Sequence, residues 1–355
     1  MTAPLATDVA SAGESRPDDD ALAPGLDLVV GRPLLIRQPH VSLSLAVGDR
    51  VLVRTGDAVE AGTPLIERMR DVALMEAAGG RRRGLNASDG GALAAPRSGG
   101  WHAAAGGDAG ELIAMINGTW RLARGTPSDV LEAPVDGVVT SVRPGVAMDF
   151  APGGPALPGV FVAGGPARGR LEIASGPEGE LRPAAIDVGR AGAILVVGSR
   201  VDAETLIRAR AMGVRGVIVA GLSEKDVRDL AASDSRQQAG FHAPPPFAVL
   251  VLDGALRRPI SAAVMAVLAA SAGREVAIVG DQPCLLLGPD APPPPTLDPG
   301  HVRVAHGPSA GREGRWLGLA GPRRFRAGIH LEAGLVDFGD GPAVVLPLAD
   351  FERYI

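Results

Sequence analysis

The residues best suited to chemistry by type and spacing are arginines close to the C-terminal end of the chain. Residues 301–330 contain one acidic residue, Glu313, and six arginines: Arg303, Arg312, Arg315, Arg323, Arg324 and Arg326. A guanidinium group is permanently charged and presents a fork of N–H donors that matches phosphate oxygens. The segment therefore predicts contacts to phosphate or to an acidic surface, with solvated surface arginines as the alternative. Trp316 is the only tryptophan available there for stacking or packing.

A second candidate set consists of polar residues that follow predicted strands in the middle of the chain. The set is Ser199, Arg200, Ser223, Asp253 and Asp281. Because ligands of α/β folds bind beyond the carboxyl ends of the strands, these residues predict a site for a small anionic metabolite. Helix caps and turns explain the same residue types.

Several catalytic classes are excluded by missing residues. The chain has no Walker A loop, no G-x-G-x-x-G fingerprint and no H-E-x-x-H pair. Residues 250–254 resemble the first motif of haloacid-dehalogenase-like phosphatases, but Val251 stands where that family has its nucleophilic aspartate. The single cysteine, Cys284, excludes an internal disulfide and an all-thiolate zinc site, and the six histidines are scattered. We therefore predict no catalytic residue, no metal and no cofactor.

The arginines lie within a pattern of alternating apolar residues and glycine-rich turns. Strand-like segments 302–304 and 317–319 flank a turn at 307–314, and segments 335–338 and 343–348 flank Gly339-Asp340-Gly341. Both pairs predict β-hairpins. The pattern resembles a KOW element in a small SH3-like barrel. Members of that family usually attach proteins to RNA, the ribosome or RNA polymerase, and the resemblance implies such a partner here.

The N-terminal part carries two separated glycine turns. Residues 56–65 follow the rhythm G-D-x-V-x-x-G-x-x-L, and residues 133–137 read Ala-Pro-Val-Asp-Gly. Together they resemble the two halves of a biotinyl/lipoyl-like barrel-sandwich hybrid. Working domains of that kind display a lysine on the link between the halves, but the only lysine of this chain is Lys225. A swinging-arm carrier is thus excluded, and residues 70–130 are predicted to be a long insertion.

Apolar strands and amphipathic helices alternate in residues 170–288, which predicts a small, mainly parallel α/β domain. The sequence pattern of residues 192–221 resembles that of swivelling-type α/β domains. The predicted strands are 193–197, 216–220, 247–252 and 275–279, and the predicted helices are 202–212, 223–232 and 261–272.

Composition limits the partners. The net charge of −5 argues against a protein that coats nucleic acid over its whole surface, and aromatic residues make up only 3% of the chain. No apolar run is long enough to span a bilayer, and residues 1–23 lack the apolar core of a signal peptide. These features predict a cytoplasmic protein with a disordered N-terminal tail and no membrane contact.

The sequence thus predicts a multidomain fold of α/β plus all-β type. The predicted order is a tail (1–23), a barrel-sandwich-like β domain (24–169), the α/β domain (170–288), a proline-rich linker (289–299) and the SH3-like barrel (300–355). As a whole the chain resembles multidomain bacterial proteins that end in a KOW element. The predicted function is a non-catalytic adaptor that docks onto RNA, the ribosome or the transcription machinery. The alternatives are a structural, self-associating protein and an α/β enzyme or sensor for a small anionic metabolite.

Overall fold

The computed structural model describes residues 23–46, 49–76, 102–103, 112–116, 119–143, 145–240, 246–280, 282–326 and 328–355. Within these ranges the chain is mostly β-sheet, with three α-helices and four sheets. No helix in the described ranges is both long and apolar enough to cross a membrane.

The elements are as follows, in chain order. The first strands are β1 (Val30–Arg32), β2 (Val41–Ser44), β3 (Arg50–Val51), β4 (Ala58–Val59), β5 (Pro64–Glu76), β6 (His102–Ala103), β7 (Leu112–Ile116), β8 (Thr119–Glu132), β9 (Gly137–Arg143) and β10 (Ala147–Pro152). The central elements are β11 (Ala156–Pro158), β12 (Phe161–Gly164), β13 (Ala167–Ile173), β14 (Ala193–Val196), α1 (Ala203–Ala211), β15 (Gly216–Val219), α2 (Glu224–Gly240), β16 (Ala248–Val251), α3 (Ala262–Ala270), β17 (Glu275–Val279) and β18 (Cys284–Leu287). The last strands are β19 (His301–Val304), β20 (Glu313–Arg324), β21 (His330–Asp337), β22 (Val344–Pro347) and β23 (Phe351–Tyr354).

The N-terminal part forms a four-stranded sheet, β2-β10-β9-β4, and a five-stranded sheet, β3-β5-β8-β7-β6. The two glycine turns noted in the sequence meet there, because the Gly62 N–H donates to the Ala133 carbonyl and the Ala133 N–H donates to the Thr63 carbonyl. The predicted insertion is partly ordinary sheet: β5 runs on to Glu76 and pairs antiparallel with β8. Residues 77–101 lie outside the described ranges.

The central part is built on an eight-stranded sheet of order β11-β18-β17-β13-β14-β15-β16-β12. The neighbours from β13 to β16 are parallel, whereas β12, β17 and β18 run antiparallel to their partners. The prediction of a mainly parallel sheet therefore fails for the strand at 275–279. A fully buried strand is apolar whichever way it runs, so apolar content could not reveal its direction.

Helices cover both faces of this sheet. Leu206 of α1 and Leu230 of α2 pack on one face, and Val267 and Leu268 of α3 pack on the other. The helices predicted to begin at 202 and 261 are both capped: the Asp202 carboxylate accepts from the Thr205 N–H at 2.8 Å, and the Ser261 hydroxyl accepts from the Val264 N–H at 3.2 Å. Helix α2 reaches Gly240, which is longer than predicted.

The central sheet and the N-terminal strands share a core. Along β17 and β18, Ala277 and Cys284 face the core that contains Phe150, while the alternate residues Ile278 and Leu285 face α3. Burial raises the pKa of the Cys284 thiol to about 11, which keeps it an inert core residue. The N-terminal and central parts are thus joined by packing as well as by the chain.

The C-terminal part is a six-stranded sheet of order β1-β23-β19-β20-β21-β22. Both hairpins predicted from the glycine turns occur, as β19–β20 and β21–β22. A strand from the opposite end of the chain also joins this sheet, since Val30 of β1 pairs in parallel with Glu352 of β23. The prediction had grouped residues 24–32 with the N-terminal β domain.

The core of this sheet is arranged around one aromatic pair. Trp316 is 2% exposed and meets Phe351 edge to face, with 5.2 Å between the ring centroids. The backbone of Gly334 lies against the Trp316 ring, so that a β-carbon added at Gly334 would be only 2.2 Å from it. Glycine is required there for close approach rather than for a turn.

Substitution Gly334→Ala should therefore destabilise the C-terminal core. We expect a loss of about 1–3 kcal/mol in the free energy of unfolding, since the added methyl group must displace a packed indole. Urea titration followed by tryptophan fluorescence measures it. Gly341→Ala is the matched control, because a β-carbon there meets nothing within 4 Å. Equal midpoints for the two variants would contradict this account of the packing.

Candidate functional site

Three of the five predicted ligand residues at the ends of the central strands are bonded through their side chains within the protein. The Ser199 hydroxyl is buried and donates to the Glu178 carbonyl at 2.8 Å, and the Gly198 N–H donates to the Ser175 hydroxyl at 3.1 Å. Residues 175–179 therefore cover the carboxyl end of β14. Arg200 is exposed beside this cover.

The side chains of the remaining described members, apart from Arg200, have partners of their own. The Ser223 hydroxyl bonds to the Asp226 carboxylate at the start of α2, and the Asp253 carboxylate is bonded to arginines of the C-terminal sheet. Asp281 lies outside the described residues. Ser199, Ser223 and Asp253 are therefore engaged in internal bonds.

A groove does lie at the carboxyl ends of β15 and β16. Its volume is about 410 Å³, and its lining is Phe161, Leu222, Glu224, Val227, Arg228, Val251, Gly254 and Ala255. The lining is largely apolar and includes none of the predicted ligand residues. Within the described ranges, no group of three His, Cys, Asp or Glu side chains could hold a metal ion.

The six predicted arginines fall into different environments, and Arg303 is the clearest correction. Its side chain is 1% exposed, and its guanidinium bonds to both carboxylate oxygens of Asp253 at 2.8 and 3.0 Å, to Glu352 at 3.1 Å and to the Pro259 carbonyl at 3.0 Å. Arg303 is thus a structural residue between the central and C-terminal sheets and has no free face for a phosphate. Its place between Val302 and Val304 in a strand gave no sign of this burial.

Asp253 is the centre of this buried cluster. Arg32 of β1 bonds to the same carboxylate at 2.7 Å. Burial, the largest single influence, would raise the pKa of Asp253, but the bonds and charges of Arg303 and Arg32 together outweigh it and hold that pKa below its ordinary value. The carboxylate therefore stays ionised. It joins β1 and β19 to the end of β16, and these strands come from distant parts of the chain.

Two more predicted residues serve the C-terminal sheet itself. The Arg312 guanidinium bonds to both oxygens of Asp340, one of them at 2.7 Å, and its carbon lies 3.9 Å from the centroid of the Phe338 ring. Trp316 is buried and donates its indole N–H to the Pro24 carbonyl at 3.2 Å. Of the two roles predicted for Trp316, the structure shows packing.

The other four arginines are exposed, and three of them gather at the end of one hairpin. Arg323 and Arg324 end β20, and Arg326 lies in the turn that leads to β21. Arg315 lies further back on β20, opposite Asp337. In the described part of the structure, none of these four side chains forms an ion pair. The available charge is therefore concentrated at the turn between β20 and β21.

This hairpin, β20–β21, was missed by sequence analysis. It projects beyond its neighbours: β19 pairs only with residues 313–315 of β20, and β22 pairs only with residues 333–336 of β21. The two strands continue alone to the pairs Arg323 with Leu331 and Arg324 with His330. We call residues 319–326 and 328–332 the basic ribbon. The sequence feature that indicates this hairpin is Gly328, which lies in its turn. Gly328 has a φ of 76°, a left-handed conformation that favours glycine.

The basic ribbon leaves the sheet with a strong local twist. Register shifts occur between Trp316 and Gly318 and again between Leu319 and Gly321, where the glycines have φ values of 133° and 70°. Such bulges bend a strand and increase its twist. Beyond these bulges, Arg323, Arg324 and Arg326 are exposed to solvent.

No protein-family model matches this chain, and neither a curated protein nor a solved structure gave a match.

Substitution Asp253→Asn should loosen the contact between the central and C-terminal sheets. We expect a loss of about 3 kcal/mol near neutral pH, because the buried Arg303 would lose the carboxylate that binds it through both oxygens and would keep only Glu352 as a charged hydrogen-bond partner. Since the folded pKa of Asp253 is depressed, its contribution is present above the ordinary pKa of 3.8 and is lost as the pH falls through the folded value. Urea unfolding at a series of pH values measures both effects.

The control for this variant is Asp229→Asn, an exposed aspartate on α2. It should change the free energy of unfolding by less than about 0.5 kcal/mol. A stability difference between wild type and Asp253→Asn that stays constant down to pH 3 would contradict the ionised cluster.

Proposed function

We propose that the protein is a non-catalytic adaptor that binds RNA, free or within the ribosome or the transcription machinery, through its basic ribbon. The observation that carries this proposal is the group of three exposed, unpaired arginines on a hairpin that projects from the sheet. Arginine pairs well with phosphate, and an unpaired guanidinium has no internal bond to break before it binds.

The charge balance supports a local rather than a general contact. The chain as a whole carries −5, while the basic ribbon has Arg323, Arg324 and Arg326 against one acid, Glu332. Nucleic acid is thus attracted to the ribbon and repelled by acidic surfaces elsewhere. Such a distribution favours one orientation on the partner.

The proposal also assigns a fold to each of the three parts of the chain. The six-stranded sheet is interpreted as a KOW-type SH3-like barrel, the two N-terminal sheets as a barrel-sandwich hybrid without its lysine, and the central sheet as a swivelling-type α/β domain. The support is the pair of glycine-turn hairpins and the meeting of the two N-terminal glycine turns. An RNA, ribosome or RNA polymerase partner would place the protein in the cytoplasm.

A structural, self-associating protein is the second candidate. Leu317 and Val345 are 44% and 38% exposed on the C-terminal sheet, and β22 is a sheet edge. An exposed edge with apolar neighbours can pair with another copy. Light scattering after size exclusion tests this, since a strict monomer at high concentration excludes it. The metabolite alternative has weaker support, because the predicted ligand residues do not gather around the groove.

Reversal of the three ribbon arginines, Arg323→Glu, Arg324→Glu and Arg326→Glu together, should abolish most RNA binding. With about three phosphate contacts, the slope of log affinity against log salt should be about −2 to −3 for the wild type and near zero for the variant. Fluorescence anisotropy with a labelled RNA hairpin measures it between about 50 and 200 mM salt, where the wild type should weaken about 15- to 65-fold.

The matched control reverses three exposed arginines elsewhere, Arg37, Arg54 and Arg182. It changes the net charge equally, so it separates a local contact from a general charge effect. We expect it to keep most of the wild-type salt dependence. Equal loss in the two triple variants, or no RNA binding by the wild type at low salt, would refute the proposed function.

A further inference from the structure

We propose that the basic ribbon recognises base-paired RNA rather than single-stranded RNA. This inference rests on the proposed function and concerns the form of RNA that fits the ribbon.

The first argument is the placement of charge on two faces. Successive residues of a strand point to opposite sides, so Arg323, paired with Leu331, and Arg324, paired with His330, present their guanidinium groups on opposite faces of the ribbon. Arg326 adds a charge at the turn. A ribbon charged on both faces and at its end suits a groove with a phosphate backbone on each side. A single strand would reach only one of these faces.

The second argument is the length and shape of the ribbon. Residues 319–324 of β20 extend about 20 Å at about 3.4 Å per residue. The minor groove of an RNA duplex is wide and shallow, and its readers rely on shape and on phosphate and 2′-hydroxyl contacts. A two-stranded ribbon that enters such a groove on its edge can face a phosphate backbone on each side without contacting base edges in sequence-specific fashion.

The third argument is the lack of a stacking platform. Single-stranded nucleic acid is usually held by aromatic rings on which successive bases stack. In the described C-terminal sheet, Trp316 and Phe351 are buried and the Phe338 ring is occupied by Arg312. The rings at the ribbon end are Phe325, which is partly buried, and the exposed imidazole of His330. A half-covered phenyl ring and one imidazole do not form the row of rings that orders successive bases.

The test compares one RNA sequence as a blunt duplex and as a single strand, both labelled, in anisotropy titrations over a range of salt. We expect the duplex to bind at least about fivefold more tightly, with a slope near −2.7 for three contacts at about 0.9 each. Arg323→Glu and Arg324→Glu, made singly, should each reduce that slope by about 1, because both faces contact phosphate. Phe325→Leu should change duplex affinity by less than about twofold.

Two results would overturn the inference while leaving the proposed function intact. One is single-stranded RNA that binds as tightly as the duplex and loses affinity in Phe325→Leu. The other is a loss confined to Arg323→Glu or to Arg324→Glu, which would place RNA on one face only. If the triple reversal leaves the binding of both RNA forms unchanged, the proposed function itself fails. Circular dichroism of each variant confirms that the fold is retained.

Discussion

The ion pair between Asp253 and Arg303 is the interaction on which the arrangement of this molecule depends. Both side chains are buried, with exposed fractions of 4% for Asp253 and 1% for Arg303. A buried charge without a partner costs several kcal/mol, so neither residue is tolerable unless the two sheets stay together. Arg32 bonds to the same carboxylate, which places the first strand, the end of β16 and the C-terminal sheet at one point. A single carboxylate thus fixes how the central and C-terminal parts meet.

This constraint bears on the candidate site. The basic ribbon is a continuation of β20, and β20 pairs with the strand that carries Arg303. The direction in which the ribbon projects is therefore set by a sheet that is anchored to the central domain. A docking surface on a fixed element loses less conformational entropy on binding than one on a free loop. Bulges at two glycines bend β20 where the basic ribbon begins. The buried cluster around Asp253 fixes the C-terminal sheet against the central part of the chain.

Local signals in the sequence predicted local structure well. Glycine turns gave two hairpins, and Asp202 and Ser261 gave the starts of two helices, because caps and turns are decided by neighbouring residues. Contacts between residues that are far apart in the chain could not be predicted from the sequence. The pairing of Val30 with Glu352 joins opposite ends of the chain, and β1 has no pattern of its own to announce it. The burial of Arg303 was missed for the same reason, since its partner Asp253 lies fifty residues away on another sheet.

At the candidate site, burial and ion pairing decide which arginine charges are available to a partner. Six arginines in thirty residues predict one basic patch by composition, but a charge contributes to a patch only if it is exposed and unpaired. Arg303 is neutralised by Asp253 and Glu352, and Arg312 by Asp340. What remains is a smaller set, and three of its members share one projecting turn. In the C-terminal segment, the exposed and unpaired cations are therefore concentrated at the end of the basic ribbon.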